Sequence, residues 1–204
     1  MQVTGTRKPE LSTVGHSNHS LEHFLHLLRP HSIEVLVDFR SQSYSKYTPY
    51  FDSDQLAKTL PPAGMKYLSF GEELGGQPDN PGFYDAGGHV VYARMAFSPD
   101  FLAGIERLAK GACKFRVALP CGEEDPTICH RRLLVARVMG ERGFEIAHIR
   151  EHGRLQPEHE LVREEQQRNA GTTRLGMFEI PEEERWRSTR SALRKRPQPN
   201  SSER

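Results

Sequence analysis

The residues with the most conspicuous chemistry lie in one stretch, from Cys121 to Arg132. In the order Cys-Gly-Glu-Glu-Asp-Pro-Thr-Ile-Cys-His-Arg-Arg, this stretch carries two thiols, three carboxylates, an imidazole and two guanidiniums. A thiolate is a nucleophile and a metal ligand, and a nearby histidine can move protons. An apolar strand candidate, Lys114 to Leu119, precedes the stretch, and an apolar helix candidate, Leu133 to Met139, follows it. The pattern is typical of an active-site loop held between two core elements.

Cys129 is the thiol that the local pattern favours as the reactive one. Asp125 is a suitable N-cap and Pro126 suits a first helical position, so we expect Cys129 in or just after the first turn of a helix. There the helix dipole and the basic residues that follow would favour the thiolate. The alternative, for Cys121 as well as for Cys129, is a small buried residue that packs in the core.

The spacing gives little support to metal binding or to the common phosphate-binding motifs. Seven residues separate Cys121 from Cys129, which is not a usual short ligand pair, and we expect Cys129 and His130 to point to different sides of a helix. We therefore assign no metal ligand and no cofactor. The chain has no Gly-x-x-x-x-Gly-Lys motif and no Gly-x-Gly-x-x-Gly fingerprint after its first strand, which argues against classical ATP or dinucleotide use.

Strand and helix patterns alternate from Leu11 to Ile149. Strands are predicted at 11–14, 33–37, 65–70, 114–119 and 144–149. Helices are predicted at 21–28, 53–60, 90–97, 99–110, 133–139 and 160–169, and a loop at 71–88. This order favours an α/β fold of three layers, with a mostly parallel sheet of about five strands and helices on both faces.

The length of 204 residues indicates one domain. We assign 1–10 to a flexible N-terminus, 11–169 to a single α/β domain and 170–204 to a polar, partly disordered tail. The net charge of +1 gives no global signal for nucleic acid, so that partner would need a local basic patch. No apolar run is long enough for a membrane span or a secretion signal, and three cysteines are an odd number for a disulfide framework. We therefore expect a cytoplasmic protein with reduced thiols.

Polar residues that follow parallel strands meet at the carboxyl edge of the sheet, where ligands bind. Asp38 is the sharpest example, because with Arg40 it directly ends an apolar run, and aspartate is rarely buried without a partner. An ion pair that braces the strand end is the alternative interpretation. His16 follows the first strand, and it is equally suited to a hydrogen bond that fixes its own loop.

Four motifs resemble those of the domain of unknown function 488 family. They are Thr13-Val14-Gly15-His16-Ser17-Asn18, Val37-Asp38-Phe39-Arg40, Glu73-Leu74-Gly75-Gly76, and Cys121 followed by Cys129-His130-Arg131. The family usually has valine where this chain has Phe39, and Leu-Met-Cys where this chain has a proline directly before Cys121. The resemblance covers roughly 11–149. It implies a compact α/β fold with a polar pocket formed by these motifs, and it implies no established reaction.

The first functional interpretation is an enzyme that acts on a phosphorylated or nucleotide-like substrate, a small anionic ligand. The nucleophile would be Cys129 or Cys121, with His16 or His130 as general acid and base and with Asp38 orienting the base. Two arginines would clamp the anion, helped by the start of the first helix. The candidate ligand-binding residues are Ser17, Arg40, Glu123, Arg131 and Tyr47.

The alternative function is a non-catalytic module that binds nucleic acid or another anionic ligand. Aromatic residues in the loop after the second strand would stack on bases; they are Tyr44, Tyr47, Tyr50 and Phe51. Lys46 and the arginine-rich tail around Trp186 would supply positive charge. An ordinary aromatic lid and a solvated helix explain the same residues. A third possibility, a thiol redox sensor, requires Cys121 and Cys129 to lie close enough to pair. The oligomeric state stays open.

Overall fold

A mixed sheet with helices on both faces forms the centre of the structure. The computed structural model describes residues 9–170 and 186–191, with the side chains of 169 and 170 excepted. Its strands are β1 Glu10–Gly15, β2 Val35–Asp38, β3 Lys66–Ser69, β4 Val117–Cys121, β5 Glu145–Ile149 and β6 Leu155–Pro157. Their order across the sheet is β3-β2-β4-β1-β5-β6, and every neighbouring pair is parallel except β5 with β6. The predicted α/β fold with a mostly parallel sheet is confirmed, with six strands instead of five.

The helices begin and end close to the predicted positions. They are α1 Leu21–Leu28, α2 Ser53–Thr59, α3 Gly71–Leu74, α4 Tyr92–Met95, α5 Pro99–Ala112, α6 Arg137–Glu141 and α7 Glu158–Ala170. A π-helical stretch, Arg131–Ala136, runs directly into α6. Ser20 caps α1 by accepting a hydrogen bond from the His23 amide at 3.1 Å, as its residue type predicts. The short helix α3 lies in a segment that was predicted to be loop.

Apolar side chains alternate between the two faces of the central strands. Leu36 packs in the core beneath α1 and α2, whereas its neighbours Val35 and Val37 pack in the core beneath α5 and α6. Strand β4 repeats the pattern, with Ala118 on the first face and Leu119 on the second. Parallel strands are normally covered on both faces in this way. The two cores give the predicted three layers.

The parallel arrangement places the carboxyl ends of β2, β4 and β1 side by side. The residues that follow these strands therefore meet at one edge of the sheet. Cys121 pairs in parallel register with Gly15, so it is the last residue of β4 instead of the first residue of the following loop. The strand predicted at 114–119 is thus displaced toward the thiol.

Part of the predicted tail belongs to the folded domain. The amide of Tyr92 donates to the carbonyl of Trp186 at 2.9 Å, and the Trp186 indole N–H donates to the carbonyl of Leu133. The guanidinium of Arg137 lies 4.2 Å from the centre of the Trp186 ring. We call 186–191 the C-terminal segment.

The other predicted terminal regions lie mostly outside the described residues. This applies to 1–8 of the predicted N-terminus and to 171–185 and 192–204 of the predicted tail. Within the described parts of the chain, every helix is either too short or too polar to cross a membrane.

Candidate functional site

A cavity of about 490 Å³ opens at the carboxyl edge, above β1, β2 and β4. We call it the pocket. It is lined by residues that follow these strands, by the loop 41–48 and by the C-terminal segment; its ionisable side chains include His16, Arg40, Cys121, Cys129, His130 and Arg190. A second depression, of about 530 Å³, lies against α7 and is lined by Arg150 and Glu164 among others, without a thiol or an imidazole. The pocket at the sheet edge is therefore the candidate site.

Two buried thiols, Cys121 and Cys129, face each other in the pocket, and we call them the thiol pair. The Sγ atom of Cys129 donates to the Sγ atom of Cys121 across 2.9 Å, which is longer than the S–S bond of about 2.05 Å in a disulfide. The hydrogen bond from Cys129, together with the nearby His130 and Arg131, holds the pKa of Cys121 well below its usual range despite burial. Burial and the neighbouring Cys121 raise the pKa of Cys129. Cys121 is thus the member of the thiol pair with the lower pKa.

Cys129 lies just after a capped turn, as predicted, but this turn does not continue as a helix through Cys129. Asp125 does cap a turn, because its carboxylate accepts from the Thr127 amide at 2.9 Å, but this turn is a single 3₁₀ turn, Pro126–Ile128. Cys129 follows it in an extended conformation, with φ −108° and ψ 140°. Cys129 lies just before the π-helical stretch, where the Arg131 amide donates to its Sγ atom at 3.5 Å. The extended backbone at Cys129 brings its side chain against that of Cys121.

His130 lies beside the thiol pair. Its Nδ1 atom is 3.9 Å from Sγ of Cys129, and its ring packs against Phe39 with 4.7 Å between the ring centres. Its Nε2 atom is buried and has no hydrogen-bond partner among the described residues. Gly76 makes room for the ring, since a Cβ atom there would lie 2.5 Å from Cγ of His130. The imidazole is placed to exchange protons at the thiol pair.

The thiol pair and His130 also form a group of potential metal ligands, whose ligand atoms lie within 4.8 Å of one another. The expectation that Cys129 and His130 point to different sides of a helix is therefore wrong, because Cys129 precedes the helix. Thiolate and imidazole ligands suit Zn²⁺. However, the sulfurs of a tetrahedral zinc site are about 3.7 Å apart when each Zn–S bond is about 2.3 Å. The observed 2.9 Å is shorter than this spacing, so the two sulfurs would have to move apart to bind zinc.

Asp38 and Arg40 form a buried ion pair at the end of β2. The Nε and Nη2 atoms of Arg40 donate to the two carboxylate oxygens at 2.8 and 2.7 Å. The hydroxyl of Tyr67 donates to the same carboxylate at 2.9 Å, and burial together with this carboxylate raises the pKa of Tyr67. Asp38 thus orients Arg40. Its carboxylate bonds to Arg40 and Tyr67 and not directly to His16, the base that it was expected to orient.

Arg40 in turn fixes the protonation state of His16. Its Nη1 atom donates to Nε2 of His16 at 3.2 Å, and a guanidinium can only donate. The proton of the neutral ring is therefore on Nδ1, which donates to the carbonyl of Ser17 at 3.1 Å. Burial and the charge of Arg40 lower the pKa of His16 to about 4. Because its lone pair is occupied, His16 in this arrangement positions Arg40 and does not act as a base.

Arg131 is buried away from the pocket, with a side chain only 1% exposed. Its guanidinium donates to the backbone carbonyls of Glu123 and Glu124, and its Nε atom has no partner among the described residues. The predicted anion-clamping role of Arg131 is therefore wrong. The side chain instead fixes the loop that joins the two thiols, and its charge helps to lower the pKa of Cys121.

The other predicted ligand-binding residues are only partly brought together. Glu123 lines the pocket, where its carboxylate lies 3.5 Å from Arg190. Ser17 adopts a positive φ of 44° in its turn and is not among the residues that line the pocket. Tyr47 is 92% exposed and lies outside the lining, whereas Tyr44 contributes to it.

Arg190 is a pocket residue that sequence reasoning did not single out within the arginine-rich tail. It lies in the C-terminal segment, where the Thr189 hydroxyl donates to the carbonyl of Ile128 at 3.0 Å and so ties the segment to the loop before Cys129. One signal was present: Trp186 is the single tryptophan of the chain and stands in a strongly polar region. A large aromatic residue in such a region indicates a docking point.

Comparison with known proteins adds one result. The family described as domain of unknown function DUF488 matches residues 20–138, which is more than half of the chain. The matched span contains the ion pair of Asp38 with Arg40, the two glycines Gly75 and Gly76, and the thiol pair. The motif around His16 precedes the matched span. No curated protein and no solved structure matches the chain.

Proposed function

The chain belongs to the DUF488 family, and we propose that it is a cysteine-dependent enzyme in which the Cys121 thiolate attacks a phosphorylated or nucleotide-like substrate. The observation that carries this proposal is the 2.9 Å hydrogen bond from Cys129 to Cys121 in the wall of a polar pocket. A thiolate is the nucleophilic form of cysteine, and a neighbouring donor keeps it in that form at neutral pH.

The residues next to Cys121 would transfer protons and stabilise the thiolate. The Sγ atom of Cys121 forms a bond to the electrophilic phosphorus or carbon, and the leaving group takes a proton from protonated His130. Water then attacks the same atom, gives its proton to His130 and releases Cys121 as the thiolate. Cys129 donates its hydrogen bond to Cys121 before the attack and again after the release.

Two cations at the pocket suit an anionic substrate. Arg40 uses one N–H on Nε, two on Nη2 and one on Nη1 for Asp38, Phe51 and His16, which leaves one of its five N–H groups for a substrate oxygen. Arg190 is exposed, and its contact with Glu123 is 3.5 Å long, so a phosphate can compete for it. The volume of about 490 Å³ suits a small molecule.

Turnover and covalent trapping test the proposal. Reduced protein is incubated with sugar phosphates and with nucleoside mono- and triphosphates, and acid-quenched samples are analysed by mass spectrometry for products and for adducts on Cys121. We expect Cys121→Ser to abolish turnover. The matched control is Cys113→Ser, which alters an exposed thiol away from the pocket and should turn over substrate like the wild type. A substrate that Cys121→Ser converts as fast as the wild type would overturn the proposal.

Nucleic-acid binding is a second candidate function, because two tyrosines of the loop 41–48 are unusually exposed. Tyr44 is 64% exposed and Tyr47 is 92% exposed, as aromatic stacking platforms are. Salt-dependent binding of a short single-stranded oligonucleotide tests this function. Binding that is lost in Tyr47→Ala but retained in Cys121→Ser would favour a binding module over the enzyme.

A further inference from the structure

The thiol pair is also arranged for a reaction between its own two sulfurs. We propose that Cys121 and Cys129 are a modification site, at which a hydroperoxide converts the two thiols into a reversible intramolecular disulfide. Oxidation would remove the nucleophile and so switch off the proposed enzyme. Only this last consequence rests on the proposed function; the oxidation itself does not.

The geometry requires little movement. The two Sγ atoms are 2.9 Å apart, and a disulfide bond of about 2.05 Å requires them to approach by about 0.9 Å. Cys121 is held in the sheet by its place at the end of β4. Cys129 stands in an extended conformation between a 3₁₀ turn and the π-helical stretch. Both residues line the pocket, which gives a small oxidant a route to buried sulfur.

The two cysteines have different roles in the reaction. The Cys121 thiolate attacks the outer oxygen of the hydroperoxide, the O–O bond breaks, and the leaving alkoxide or hydroxide takes a proton. Cys121 is now a sulfenic acid, oxidised by two electrons. The sulfur of Cys129 then attacks the sulfur of Cys121, and the hydroxyl leaves as water with the proton of Cys129. A dithiol reductant reverses the bond by thiol–disulfide exchange.

The neighbouring groups fit this order of events. Cys129 stabilises the attacking thiolate by a hydrogen bond before it reacts, so the resolving thiol is already in contact. His130 lies 3.9 Å from Cys129 and can supply the proton that the leaving oxygen needs. The third cysteine, Cys113, is exposed near the end of α5 and outside the pocket, so it has neither a partner thiol nor these neighbours.

Peroxide treatment followed by thiol mapping tests the proposal. The full-length reduced protein is treated with hydrogen peroxide, free thiols are blocked with N-ethylmaleimide, and peptides are identified by mass spectrometry without reduction. We expect a linked pair of peptides that contain Cys121 and Cys129, a loss of two hydrogen atoms, and complete reversal by dithiothreitol. Cys113→Ser should form the same disulfide. In Cys129→Ser we expect Cys121 to stop as a sulfenic acid, which dimedone traps.

Two results would overturn the proposal. One is that peroxide leaves both members of the thiol pair free to react with N-ethylmaleimide while Cys113 is oxidised. The other is that every disulfide found joins two chains. The wild-type mapping needs no substituted protein, so poor folding of a variant cannot obscure it. A disulfide in a protein that turns over no phosphorylated substrate would support the modification site and count against the proposed enzyme. Failure of the enzyme proposal can therefore be told apart from failure of the disulfide proposal.

Discussion

Several ionisable side chains at the base of the pocket are held by another polar side chain, which with burial shifts their pKa. Asp38 orients Arg40, and Arg40 holds His16 as a neutral ring with its proton on Nδ1. Cys129 holds Cys121 by donating a hydrogen bond from its thiol group. Residue types could predict which groups occupy the site. They could not predict which of two adjacent thiols carries the charge, because that depends on a distance of a few ångströms.

The buried state of His16 predicts a pH-dependent stability. Its pKa falls from 6.5 to about 4 on folding, so the unfolded chain binds the proton more readily between these values. His16 therefore contributes stability that is present above pH 6.5 and is lost as the pH falls toward 4, by up to about 3 kcal/mol. Urea unfolding at pH 7 and near pH 4.5 measures this loss.

The control for this prediction is His16→Asn, which retains an N–H donor but does not titrate. We expect the free energy of unfolding to fall by less in the variant than in the wild type over the same pH range. Other buried groups, such as His148, titrate in both proteins, and their contribution cancels in the comparison. Equal losses in the two proteins would contradict the prediction.

At the scale of elements, close backbone contacts bring the strand ends together. The end of β1 passes directly against the loop that follows β4, and a Cβ atom at Gly15 would lie 2.3 Å from the carbonyl oxygen of Glu123. Because this loop leads to Cys129, the absence of a side chain at position 15 helps to set the spacing of the thiol pair. A glycine that follows an apolar strand is therefore part of the site, although it carries no functional group.

Gly15→Ala is expected to lower the free energy of unfolding by about 2 to 3 kcal/mol, because backbone on both sides must shift. The matched control is Gly111→Ala, at a position in α5 with no neighbouring atom within 4 Å of the added methyl group. Alanine there should stabilise the helix by about 0.5 to 1 kcal/mol. Denaturant unfolding of both variants checks the contrast, and a Gly15→Ala protein as stable as the wild type would contradict it.

Most elements could be predicted from local patterns, because caps and periodicity act within a few residues. Ser20 before α1 is an example, since it accepts the expected amide hydrogen bond. Strand β6 has only three residues and ends in Pro157, which is too short for a periodic pattern. The insertion of β4 between β1 and β2 is a long-range property. His16, Arg40 and Cys121 nevertheless lie together as predicted, because the carboxyl ends of all the parallel strands lie at one edge of the sheet.

At the scale of the whole molecule, the site is completed by a part of the chain that is distant in sequence. The C-terminal segment adds four residues, Ser188 to Ser191, to a pocket whose other lining residues lie between positions 16 and 130. Sequence reasoning could not place it, because residues that are polar and solvated in isolation carry no periodic pattern. The orientation of the Arg131 side chain could not be predicted either, because its hydrogen-bond partners are backbone carbonyls and not side chains.

Arg190→Ala should weaken the binding of inorganic phosphate by at least about threefold, as expected when an exposed ionic contact is lost. The free energy of unfolding should change by less than about 1 kcal/mol, because the ion pair with Glu123 is largely exposed. Arg154→Ala is the control, since Arg154 pairs with Glu160 at 2.6 Å on the surface and does not line the pocket. Calorimetric titration measures the affinity, and equal weakening by both substitutions would contradict a specific role for Arg190.

The most direct test of the central claim is the rate of iodoacetamide alkylation at each cysteine, measured by mass spectrometry over a pH series. We predict that Cys121 reacts with a midpoint well below the ordinary thiol pKa of about 8.5, and that Cys129→Ala raises this midpoint because the hydrogen bond to the thiolate is lost. The midpoint reports the pKa even where burial slows the reaction. An ordinary or higher midpoint for Cys121, or earlier modification of Cys129, would contradict the assignment of Cys121 as the nucleophile.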